Sequence, residues 1–191
     1  LMWVGAAAAH DSNVPVSKAQ QSADVSSMRL QKVAADVYFV QGESALGSTA
    51  NRKFISNAGF VITNDSVVVI DALGSPALAE ELVKQIRTVT RKPISHVLLT
   101  HYHADHIYGL QVFAALGAKI VANEQAREYI NSETAHLRLE ASRKDLAPWV
   151  NDSTRMVPAS QWLTADSSQL TVGGVDFVLQ HMGPAHTPED T

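Results

Sequence analysis

Six consecutive residues, His101-Tyr102-His103-Ala104-Asp105-His106, concentrate the chemistry this chain can do. Imidazole nitrogens and carboxylate oxygens are the donor set that suits zinc and similar divalent ions. With 8 histidines in 191 residues, an H-x-H-x-D-H match arises by chance in roughly one such chain in a thousand. His101 and His103 are two apart, so both rings reach one ion only where the backbone between them is not helical. A third nitrogen is available from His186, within Gly183-Pro184-Ala185-His186-Thr187. Three protein ligands leave one tetrahedral position for water, which marks a catalytic site and not a closed structural one. Asp105 and His106 point to a second, adjoining position. Two ions about 3.5–4 Å apart can share a hydroxide and polarise a substrate carbonyl or phosphoryl group.

The remaining histidines lack this spacing. His96 falls inside a predicted strand, His136 on a charged helix, His181 at a strand end and His10 near the beginning. They are expected to be structural or solvent-facing, and Tyr102 and Tyr108 to pack. No Gly-x-Ser-x-Gly supports a serine nucleophile, and no glycine-rich loop is built to cradle phosphate.

The elements that must position these groups follow from periodicity. Val37–Val40 reads as a strand, Gly42–Arg52 as a polar loop, and Phe54–Thr63 and Val67–Ile70 as two strands joined by an Asn64-Asp65 turn. Ser75 and Pro76 open a helix over 76–90, with Leu78, Leu82, Ile86 and Val89 on one stripe and Pro93 beyond its end. Glu80 and Glu81 are expected near its positive end and Arg87 near its negative end. A strand over 96–100 completes a βαβ crossover, so the two flanking strands should be parallel. Ligands gather at the carboxyl ends of such strands. That places Asp71 beside Thr100-His101, where its carboxylate could hold a ligand histidine or the ligand loop. Further along, Leu110–Leu116 is predicted helical with Gly117 as its cap, and Lys119–Ala122 is a strand. Asn123 is expected to cap a helix through Ile130. Thr134–Leu146 is helical, and Leu170–Val172 and Val175–Leu179 form a hairpin about Gly173-Gly174. His181–Thr191 then leaves a strand end as a loop.

Composition narrows the classes. The chain is long enough for one domain with a sizeable core. A net charge of −4 without a basic run argues against nucleic acid as a partner. The absence of cysteine removes disulfides and thiolate zinc sites. No stretch approaches the ~18 apolar residues of a membrane span. Leu1–Ala9 is small and apolar, ending Ala7-Ala8-Ala9, and reads as the remnant of a secretory signal. A periplasmic or secreted location is therefore expected. Residues 1–29 are expected to be tail and linker, and 30–191 one domain.

Thr100-His101-Tyr102-His103-Ala104-Asp105-His106, with Val68-Val69-Ile70-Asp71 before it and Gly183-Pro184-Ala185-His186-Thr187 after it, resembles the metallo-β-lactamase superfamily. The resemblance extends from about Leu30 to the end. It implies an α+β fold, a four-layer αβ/βα sandwich whose C-terminal part is missing from this chain. It also implies that His101, His103 and His186 bind a first zinc, that Asp105 and His106 contribute to a second, and that Asp71 supports them. Two zinc ions per full-length chain are expected. The stretch after Thr187 looks closest to periplasmic zinc hydrolases, including members resembling sulfur-oxidation and quinoprotein-associated proteins. The implied activity is hydrolysis of a small-molecule C=O or similar electrophile, such as a β-lactam or a thioester, by a zinc-bound hydroxide, with Asp105 serving the reaction. The competing expectation is a metal-binding protein without catalysis, or the inactive remnant of a longer gene. Oligomeric state and superfamily branch are left open.

Overall fold

A computed structural model describes residues 28–191. The expected signal remnant at 1–9, His10 and the rest of the expected tail and linker up to residue 27 lie outside the described residues. Met28 is already part of the core. It is 3% exposed, its N–H donates to Glu81 Oε1 at 3.3 Å, and its carbonyl accepts from Gln85.

Seven strands form one sheet in chain order: β1 (Leu30–Ala34), β2 (Val37–Val40), β3 (Ala58–Ile62), β4 (Val67–Ile70), β5 (Ile94–Leu98), β6 (Lys119–Asn123) and β7 (Gln161–Leu163). β1 to β4 are antiparallel, and β4 to β7 are parallel. The change of direction falls at β4, where α1 (Pro76–Val89) makes the expected crossover. α2 (Ala104–Ile107) and α3 (Leu110–Ala115) connect β5 to β6; α4 (Ala126–Ile130) and α5 (Glu133–Asp145) connect β6 to β7. A hairpin of β8 (Ser167–Val172) and β9 (Val175–Gln180) forms a separate two-stranded sheet. No helix among the described residues is long and apolar enough to cross a membrane.

The period-two alternation of strands explains why the sheet is covered on both faces. Val67, Val69, Val97, Leu99, Ile120 and Ala122 pack into the helix-side core with Leu78, Leu82, Ile86 and Phe113. Their neighbours Val68, Leu98 and Val121 point the other way and meet Val172 and Leu179 of the hairpin. Fully burying one such aliphatic side chain contributes about 1.5–3 kcal/mol. The Ser75 cap, which accepts from Leu78 N–H at 3.3 Å, contributes about 1 kcal/mol. Packing of the stripe therefore holds α1, and the cap fixes where it starts.

Several elements differ from expectation for identifiable reasons. β3 begins at Ala58 and not at Phe54, because residues 54 and 55 donate their N–H groups locally, to Asn51 and Lys53 carbonyls. Glu80 and Glu81 lie beyond the first turn of α1; Glu81 instead pairs with Arg52 at 2.6 Å. Val89, the last helical residue, is 40% exposed, so the stripe outruns the core by one turn. Asn123 ends β6, and its side chain accepts from Gln125 N–H at 2.9 Å, inside the turn before α4. Gln125 takes the cap position without a side-chain bond. β1 and β7 have no counterpart among the strands expected from the sequence. Four of the five β1 residues are exposed and β7 has three residues, so neither carries a burial pattern in its sequence.

Gly109, between α2 and α3, marks a close backbone approach. A Cβ there would lie 1.9 Å from the Ala72 carbonyl oxygen and 2.7 Å from Ala79 Cβ. The segment that follows the histidine motif is thereby pressed onto the end of β4. Gly109→Ala is expected to destabilise the chain by about 1–3 kcal/mol, read as a lower urea midpoint with an unchanged slope.

Candidate metal centre

Because β4 and β5 are parallel and in register up to Ile70 and Leu98, the residues that follow them emerge side by side. Asp71 takes a left-handed backbone, φ 60°, a region Asp tolerates better than most side chains. Its buried carboxylate collects three donors. Oδ1 accepts from Thr100 N–H at 2.9 Å, and Oδ2 from the Thr100 hydroxyl at 2.8 Å and His106 Nδ1 at 2.9 Å.

These bonds fix the state of the first histidine. The Thr100 hydroxyl gives its proton to Asp71, so its oxygen accepts from His101 Nδ1, 3.0 Å away. The neutral ring then presents Nε2 as a lone pair. That atom is buried and has no hydrogen-bond partner. A buried polar atom without a partner costs about 1–3 kcal/mol.

His103 stands immediately before α2 with extended backbone, φ −77° and ψ 151°, so the two rings can converge as the spacing required. His186 reaches the same point on the loop after β9. His103 Nδ1 lies 3.0 Å from His186 Nε2. The rings of His101, His103 and His186 pack nearly edge to face, with centroids 4.7–5.0 Å apart, and one nitrogen of each lies within 4.8 Å of the others. Nitrogens on a tetrahedral zinc are about 3.3 Å apart. The widest pair must close by roughly 1.5 Å, and the closest is already in range. The donor chemistry, the spacing and the unpartnered Nε2 of His101 all fit such an ion.

Asp105 and His106 sit on the short helix α2. His106 Nε2 is 3.4 Å from Asp105 Oδ2, close to the separation of two ligands on one ion. The His106 ring lies 4.1 Å from that of His101, so this pair adjoins the three-histidine cluster. All five predicted ligands and Asp71 are thus brought to one sheet edge.

Electrostatics divide the cluster. Burial lowers His101 from its ordinary 6.5 to about 4, helped by the charge of His106; burial likewise lowers His103. Burial also pulls on His106, but its hydrogen bonds to Asp105 and Asp71 outweigh it and carry the ring up to about 9. Burial would raise Asp105, yet its bond to His106, the charge of His106 and the charge of Lys53 bring it down to about 2.

Some groups carried no sequence signal. Asp190 organises the His186 loop, its carboxylate accepting from His186 N–H at 2.6 Å and Thr187 N–H at 3.1 Å. Glu189 accepts from Tyr102 N–H at 3.2 Å, tying the two ligand loops together. Thr187-x-x-Asp190 has the form of a capping box and was the available clue. Ser56 donates its hydroxyl to the Asp105 carbonyl. Lys53, between the expected polar loop and the expected strand from Phe54, is 9% exposed, and burial lowers its ammonium to about 8. His136 is exposed; His181 bonds the Pro188 carbonyl at 2.8 Å, and His96 is bonded to Ser95 at 2.9 Å. An open cleft of about 1070 Å³ adjoins the histidines, lined by His103, Tyr129, Arg127, Glu128, Thr187 and Glu189 among others.

Residues 51–190 match the sequence profile of the Metallo-beta-lactamase superfamily. A type 2 metallo-beta-lactamase of Elizabethkingia meningoseptica is 20% identical over 85% of this chain and 55% of its own length. A hydroxyacylglutathione hydrolase of Rhodobacter capsulatus is 44% identical over 29% of this chain and 20% of its own. The chain thus spans about half, or less, of the curated relatives it matches. Among solved structures, a stereoselective inverting sec-alkylsulfatase from Pseudomonas sp. superposes with a TM-score of 0.63 at 18% identity, over 85% of this chain and 28% of that one. A metallo-beta-lactamase from Pontibacter korlensis gives 0.59 at 18% identity, over 86% and 65%.

The divided electrostatics give the metal-free protein a two-sided pH dependence. His101 is depressed to about 4, so its contribution is present above 6.5 and lost as pH falls from 6.5 towards 4. His106 is raised to about 9, so its contribution is present below 6.5 and lost as pH rises through 9. Imidazole NMR of the metal-free chain should show these two titrations, with Asp71→Asn bringing that of His106 down. Two rings titrating together near 6.5 would contradict the assignment.

Proposed function

This chain belongs to the metallo-beta-lactamase superfamily, and on that premise we propose that it is a zinc-dependent hydrolase of a small-molecule C=O or similar electrophile. The observation that carries the proposal is the buried, partnerless Nε2 of His101, in a ring that clusters with those of His103 and His186. His101, His103 and His186 would hold the first zinc, and Asp105 with His106 a second. A zinc ion in such a site polarises the electrophile and lowers the pKa of water from 15.7 to about 7.

The rest of the task falls to the chain. Asp71 fixes His106 through Nδ1, which leaves Nε2 facing the Asp105 carboxylate. With a pKa of about 2, Asp105 remains ionised at neutral pH and accepts a hydrogen bond from the attacking water, orienting it. The cleft bordered by His103 and Thr187 admits the substrate from the solvent side. Lactams, hydroxyacylglutathione and sec-alkyl sulfates are the substrates named for the similar proteins, and they define the panel to be assayed.

His101→Ala and His103→Ala should each remove most tightly bound zinc, measured by elemental analysis after dialysis; unchanged zinc in both would refute the centre. Asp105→Asn should fold and keep zinc at the three histidines while hydrolysis of whichever panel member is turned over falls about 100-fold or more, a loss of roughly 2.7 kcal/mol of transition-state stabilisation. Tight zinc without turnover of any panel member would favour the reading as a binding protein.

A further inference from the structure

Lys53 is a buried cation to which the hydrolytic reading gives no role beyond keeping Asp105 ionised. It lies five residues before Ala58, in a left-handed conformation, φ 60°. Its stem runs between two glycines: a Cβ on Gly74 would stand 2.9 Å from Lys53 Cγ, and one on Gly47 would stand 3.2 Å from the same atom. The backbone is shaped to let this side chain through. The ammonium ends 4.7 Å above the ring of Tyr108 and is in none of the ion pairs found among the described residues. Tyr108 follows Asp105 by three residues, at the end of the turn that is α2, so both lie on one face of that turn. Ser56, three residues after Lys53, holds the Asp105 carbonyl. The Lys53 loop is thereby fastened to the residue at the second metal position, and the Lys53 and Asp105 charges attract each other.

From this placement, and resting on the reading of the metal centre above, we propose that Lys53 is a positioning residue that sets the metal count: its ammonium supplies part of the positive charge Asp105 would otherwise take from a second divalent ion, so the three-histidine position fills first and the second is held weakly. A unit charge acts on a dication with twice the energy it exerts on a monovalent ion. Burial keeps that interaction from being screened as a surface charge would be.

The test is calorimetric titration of the metal-free 191-residue chain with zinc alone, at one ionic strength, resolving two steps. Lys53→Met and Lys53→Gln remove the charge at similar length, and Lys53→Arg keeps it. The second step should tighten about tenfold or more in Lys53→Met and Lys53→Gln, stay near wild type in Lys53→Arg, and leave the first step within about threefold in all. Two neutral variants guard against one failing to fold, which circular dichroism reports. A second step unchanged in the folded neutral variants, or one altered equally in Lys53→Arg, overturns the proposal. Loss of both steps in wild type overturns the metal centre itself, a result distinguishable from either.

Discussion

Everything at the centre depends on one carboxylate. Asp71 binds Thr100 twice and His106 once, so a single side chain joins the end of β4, the continuation of β5 and α2. Two consequences follow from the same three bonds. The strand ends are locked in a fixed relation, and Nδ1 of both His101 and His106 is held as a donor, which leaves the neutral His101 ring with a free Nε2 and turns His106 Nε2 towards Asp105. Removing the carboxylate would leave buried donors unmatched, at about 1–3 kcal/mol each, and would free both rings to change tautomer. Asp71 is therefore structural and chemical at once, though it touches no substrate.

The centre is also a compromise between opposed charges. Burying imidazoles favours neutral, ligand-ready rings, which holds for His101 and His103. Two carboxylates beside His106 favour the opposite, a protonated ring. Ligand nitrogens must be deprotonated to bind a metal. The two halves of the cluster therefore differ in readiness at neutral pH, although their donor atoms are equally close to hand. With Lys53 attracting Asp105, positive charge already acts on the carboxylate that a second ion would use.

Much of this was legible in the residues. The parallel pair β4 and β5 followed from the stripe Leu78-Leu82-Ile86 between two apolar runs, and that pairing alone put Asp71 beside Thr100. The motif spacing anticipated the convergence of His101 and His103, because His103 lies just outside helix α2. What sequence could not show was tertiary. Lys53 is buried because its stem passes between Gly47 and Gly74 to reach the Tyr108 ring, contacts that no spacing in the sequence announces. Glu189 and Asp190 matter only once the His186 loop returns to Tyr102. β1 and β7 were missed because an exposed edge strand and a three-residue strand have too little burial to leave a period.

The third nitrogen arrives by a different route from the first two. His101 and His103 stand on the main sheet, while His186 follows the β8–β9 hairpin, whose hold on that sheet is a small apolar cluster about Val68, Leu98, Val172 and Leu179, together with the nesting of Gly173 against Thr63 and Asp65. The Asn64 N–H bond to the Gly173 carbonyl and the Glu189 bond to Tyr102 N–H add to that hold, yet a unit with so small an apolar contact is expected to open locally more readily than the helix-side core. Each such excursion would withdraw one of the three proposed ligands. The lifetime of a captured ion would then be a clock for the breathing of that hairpin, and exchange of the ion would report on a packing contact on the far face of the sheet.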